Sequence, residues 1–140
     1  MILEIHPHVG IGALKLGASI ADLRRMIGGP YTTTRKTPEA ATATDTFEGM
    51  GIRVHYGADG TCNGIEVSPP TRPHFMGREL MALPYRKVRE WLSTLDPEMQ
   101  SDDGGLISLE LGLGISAPKA REVPAAPAES VLVFKSGYEH

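Results

Sequence analysis

The chain has 140 residues, 41% of them hydrophobic and 22% charged, with a formal net charge of −3. That length suits one domain with a single hydrophobic core, the composition excludes a disordered chain, and the negative balance removes the phosphate-neutralising drive behind DNA or RNA binding. The densest apolar run, Leu106 to Ile115, is broken by Ser108, Glu110, Gly112 and Gly114, well short of the roughly 20 residues that cross a bilayer, so no membrane partner is expected.

Met1 to Ile5 is apolar apart from Glu4 and stops at Pro7, which reads as a short first strand at a sheet edge. Gly10, Gly12 and Gly17 then space an irregular extended segment. Ser19 follows as a helix cap, with Asp22 three residues on, and Ile20, Leu23, Met26 and Ile27 recur at helical spacing. Gly28-Gly29-Pro30 ends that helix. From Thr32 to Thr46 the sequence is rich in Thr and Ala without apolar periodicity, and reads as either a polar strand or a loop.

Ile52, Val54 and Tyr56 alternate with Arg53 and His55, the period of a half-buried strand. Turn residues Gly57 to Gly60 predict a hairpin returning through Ile65, Glu66 and Val67. A second helix starts near Pro84, with an apolar stripe of Tyr85, Val88, Trp91, Leu92 and Leu95, and stops at Asp96-Pro97. Ile107, Leu109, Leu111, Leu113 and Ile115 predict one long strand with Ser108 and Glu110 on its opposite face, and Val131 to Phe134 a last strand. A capped helix followed by antiparallel strands thus occurs twice. The expected fold is α+β: an antiparallel sheet with two helices on one face and the other face wet, with possible α-β-β half-repeats over 9–68 and 76–138. The expected core is Ile20, Leu23, Ile52, Val54, Tyr56, Ile65, Val67, Val88, Leu92, Leu95, Leu109 and Leu111.

Chemistry-bearing clusters are sparse. His6 and His8 flank Pro7 without a companion carboxylate pair and read as surface histidines. Gly10-Ile11-Gly12 begins like a dinucleotide fingerprint, but Lys15 stands where the third glycine belongs. Asp102-Asp103-Gly104-Gly105 lacks the acidic spacing of a calcium loop and reads as a solvated turn. No cofactor, metal or nucleotide, is therefore expected. Cys62, the sole cysteine, cannot form an intramolecular disulfide, and the amino terminus lacks the pattern of a secretion signal, which together fit the cytoplasm. Arg86, Lys87 and Arg89 on the second helix, with Arg24 and Arg25 on the first, read as solvated helix faces that matter only to an acidic partner.

The run Gly10-Ile11-Gly12 through Leu16-Gly17-Ala18-Ser19, then Leu23 and Gly29-Pro30, resembles a pattern in small bacterial immunity-like proteins. A shorter form of it is similar to the tandem-repeat β-lactamase-inhibitor proteins and the outer-membrane-assembly lipoprotein family. These resemblances imply a protein-binding module rather than an enzyme, with a toxin domain encoded upstream as the partner. Strand alternation places the expected docking residues on the wet face: Arg53, His55, Glu66, Ser108 and Glu110, with Asp102 and Asp103 at the rim. The alternative is an enzyme or small-ligand binder with a pocket between helix and sheet, built on His55, Tyr56 and Cys62.

Overall fold

The computed structural model describes residues 1–35, 37, 39 and 42–136. Among the described residues the chain is mostly β with some helix, thirteen strands in two sheets and two α-helices. In order these are β1 (Ile2–His6), β2 (Gly10–Ile11), β3 (Leu14–Lys15), α1 (Ile20–Ile27), β4 (Thr32–Thr34), β5 (Ala43–Phe47), β6 (Ile52–Tyr56), β7 (Cys62–Val67), β8 (Arg72–Phe75), β9 (Arg78–Glu79), α2 (Tyr85–Leu95), β10 (Gln100–Asp102), β11 (Gly105–Ser108), β12 (Leu113–Ser116) and β13 (Ser130–Phe134). The large sheet runs β4-β5-β6-β7-β13-β12-β11-β10, antiparallel throughout. Each helix is therefore followed by four strands of the large sheet rather than two, and the two meanders meet through their last strands, β7 and β13. The stretch read as strand or loop contains β4 and most of β5, while Lys36, Pro38, Ala40 and Ala41 lie outside the described residues, as do 137–138 at the end of the second expected half-repeat.

The small sheet, β3-β2-β1-β8-β9, corrects two expectations. There are two sheets, and β1 is an interior strand, antiparallel to β2 and parallel to β8. Neither β8 nor β9 shows in the sequence pattern, because Pro73 and the four-residue span hide the alternation.

Local chemistry explains both helices. The Asp22 backbone N–H donates to Ser19 Oγ at 3.2 Å, and Gly28 ends α1 at φ 70°. Pro84 precedes α2, and Asp96, before Pro97, closes it. Leu23 and Ile27 of α1 and Tyr85, Val88 and Leu92 of α2 are buried in one core with Ile52, Val54, Ile65, Val67, Leu113, Ile115, Val131 and Val133 of the large sheet. Two polar contacts tie the helices to that buried side. Arg24 of α1 pairs with buried Asp45 of β5, and Asp96 at the end of α2 accepts from buried Ser108 of β11 at 2.7 Å.

The expected long strand over 107–115 is two strands joined by a tight turn. Gly112 adopts φ 65°, and a side chain there would meet the Phe134 carbonyl at 2.6 Å, so glycine permits the reversal. The turn shifts the phase by one, which moves every side chain before it to the other face. Ser108 is wholly buried, whereas Leu109 is 74% exposed and Glu110 sits in the turn. Leu95, too, is 37% exposed, and Ile20 and Leu111 are only partly buried; the other expected core residues are buried.

Candidate functional site

Register places one continuous row across the large sheet on the side opposite the core: Thr46, Arg53, Glu66, Leu132, Gly114, Ile107 and Gln100. The alternation of β6 that buries Ile52, Val54 and Tyr56 turns Arg53 and His55 outward, and that of β7 does the same for Glu66. These three expected residues come together.

They are linked by side-chain hydrogen bonds across neighbouring strands. Thr44 Oγ1 of β5 lies 2.9 Å from His55 Nδ1, and His55 Nε2 lies 3.4 Å from Glu66 Oε1. Ser130 of β13 lies beside the same carboxylate and helps to lower it. The hydrogen bond to His55 holds Glu66 below the ordinary carboxylate range, against partial burial, with Arg53 adding positive potential. A carboxylate at Nε2 favours the proton on that nitrogen, so Nδ1 accepts from the threonine hydroxyl. The imidazole is thereby fixed between a hydroxyl and a carboxylate, an order that also suits proton transfer.

Beside this ladder the face dips into a trough of 340 Å³, lined by His55, Glu66, Ser130 and Leu132 with Gly114 at its floor. A second depression of 370 Å³ over β10 to β12 shares Ile107 and Ser116 with the first, so the concavity extends to the sheet edge. Leu132 and Ile107, both partly buried, supply apolar surface in the middle of an otherwise polar face.

The remaining expected residues fall elsewhere. Asp102 lines the second depression, but it accepts from the Gly104 N–H at 2.7 Å and pairs with Arg121; the Gly104 bond leads in holding its carboxyl below the usual range. Asp103 pairs with Arg89 at 3.2 Å. Both stand at the rim with their charge partly compensated. Ser108 is on the core side, and Glu110 presents its carbonyl to His8 Nε2 at the end of the sheet. The alternative trio does not assemble: His55 faces outward while Tyr56 and Cys62 are buried, across a register shift between His55 and Tyr56. Tyr56 donates to Asp45, and burial pushes the Cys62 thiol up to about 11, keeping it protonated at neutral pH. Thr44, Ser130, Leu132 and Ile107 were missed. The alternation of β13 carries a signal for Ser130 and Leu132, whereas Thr44 lies in a stretch without pattern.

No family model, curated protein or solved structure matches the chain. Among the described residues no helix is long and apolar enough to cross a membrane.

Proposed function

We propose that this chain is a non-enzymatic binding module that docks a protein partner on the outward face of its large sheet, as an immunity or inhibitor protein does when it occludes a toxin domain encoded upstream. Arg24–Asp45 and Asp96–Ser108 support a packing in which both helices cover one face and leave the other to the partner. The observation that carries the reading is the trough with its cross-strand ladder. A face stiffened by the Thr44–His55–Glu66 ladder loses little entropy on docking, and Leu132 and Ile107 offer the apolar centre that anchors need. Arg53 and Glu66 then select by charge. A reducing cytoplasm suits the single, buried cysteine.

The test is association with the upstream-encoded protein, by surface plasmon resonance at low and high salt. Leu132→Arg should weaken binding roughly thirtyfold, the loss of one hot spot of about 2 kcal/mol. Glu66→Lys should slow association at low salt, and Glu110→Lys, outside the face, should not. Unchanged affinity in Leu132→Arg, with folding confirmed by circular dichroism, would refute the docking face.

A second reading rests on the hydroxyl–imidazole–carboxylate order of Thr44, His55 and Glu66. Turnover of an ester substrate by the wild type and its loss in both His55→Ala and Thr44→Val would favour an enzyme over a binding module.

A further inference from the structure

On the helix side, α2 and β9 bound a groove of 570 Å³ that the docking face does not use. Its floor and walls are Trp91, Val88, Leu83 and Pro84, and Leu83 is 41% exposed there. Pro84, Lys87, Trp91 and Thr94 recur at helical spacing, so the groove follows α2 for about 15 Å at 1.5 Å per residue. That length matches two to three turns of a partner helix laid alongside.

Its charge is asymmetric. The Arg78 guanidinium carbon lies over the Trp91 ring, 4.3 Å from the centroid, a cation–π contact that holds the positive charge in the groove, where its N–H groups can meet a carboxylate. Lys87 lines the same groove. Among the described residues neither Arg78 nor Lys87 has an ion-pair partner. Arg86 and Lys87 also occupy the first turn of α2, which carries no acid, although the helix dipole disfavours cations at that end. Anionic groups laid over this turn would relieve that repulsion. Among the described residues that line the groove, Glu90 is the single acid.

We propose that this groove is a second docking site, and that its occupant is an acidic amphipathic helical segment of a partner protein. The segment would set apolar side chains against Trp91 and Leu83 and carboxylates against Arg78 and Lys87. This inference stands apart from the reading of the sheet face.

Trp91 is the sole tryptophan of the chain, so its emission reports occupancy directly. The probe is a short acetylated synthetic peptide with Leu at i, i+3, i+4 and i+7 and Glu on the remaining positions, and the control carries Lys in place of every Glu. The Glu peptide should change Trp91 emission saturably and bind more weakly as salt rises, while the Lys peptide should not bind. The double variant Arg78→Glu/Lys87→Glu, shown folded by circular dichroism, should bind the Glu peptide at least roughly tenfold more weakly, whereas Leu132→Arg on the sheet face should bind it as the wild type does. No saturable change, equal binding of the Lys peptide, or unaltered affinity in the double variant would each overturn the proposal. So would concentration-dependent emission without peptide accompanied by a dimer in sedimentation, which would make a second copy of the chain the occupant.

Discussion

Replacing Asp45 with asparagine tests how α1 is held to the large sheet. The Asp45 side chain is fully buried and accepts from Arg24 at 2.8 and 3.0 Å, from Thr33 at 2.6 Å and from Tyr56 at 2.9 Å, so one carboxylate ties α1, β4, β5 and β6 together. Arg24 also stacks over Tyr31, 4.5 Å from the ring centroid. Asn has nearly the same volume, so Asp45→Asn opens no cavity, but it deletes the charge and points an amide donor at groups that are themselves donors. Removing one partner of a buried pair costs about 3–5 kcal/mol. The Arg24 side chain keeps 33% of its surface exposed and can rehydrate, which places the expectation at the lower end, about 3 kcal/mol. The pH dependence has a definite sign. Burial alone would raise the Asp45 carboxyl, but donation from Arg24, Thr33 and Tyr56 outweighs it and holds the carboxyl below its ordinary value. A carboxylate lowered on folding stabilises above its unfolded pKa of about 3.9, and that stabilisation is lost as pH falls through the lower folded value. Urea denaturation followed by circular dichroism should therefore show a gap of about 3 kcal/mol between wild type and Asp45→Asn at neutral pH, narrowing below about pH 4. A gap under about 1 kcal/mol at neutral pH, or one that stays constant into acid, would refute the reasoning.

Ser108→Ala should cost about 1–3 kcal/mol because it removes a donor to buried Asp96 and an acceptor for the Leu111 N–H, whereas Glu110→Lys in the exposed turn should stay within about 0.5 kcal/mol. Reversed sensitivities in urea melts would restore the single long strand over 107–115. Leu92→Ala should lose about 2–5 kcal/mol and Leu109→Ala almost nothing, since the first is buried in the core and the second is exposed; equal costs by the same assay would contradict the phase of the α2 and β11 packing. Cys62 should resist alkylation by iodoacetamide at pH 8 in the folded protein and react once unfolded in urea, its thiol being buried and pushed up to about 11. Mass-spectrometric labelling at equal rates in both states would show that the β6–β7 hairpin opens readily.

The parts of this protein that follow from sequence are those whose causes are local. Ser19, Gly28 and the Asp96-Pro97 step fix the helix ends because capping and proline sterics act within a few residues, and Ile52 to Tyr56 fixes its own faces because alternation is intrinsic to a strand. The outward placement of Arg53, His55 and Glu66 was legible for the same reason. The placement of Ser108 was not. A serine between two apolar residues reads as the wet phase, and only the Asp96 carboxylate, brought in by the end of α2, makes it a satisfied buried group. Asp45 is the matching case at the other end of the same register row, a charge in the least patterned stretch, buried because Arg24 reaches it from α1. The pairing of β7 with β13 joins residues more than sixty apart, and the parallel pairing of β1 with β8 is similarly distant. Nothing in a short window of sequence encodes such pairings. They arise when both meanders bury their apolar faces against one core, and it is that pairing which sets Glu66 beside Ser130 and Leu132 and so creates the trough.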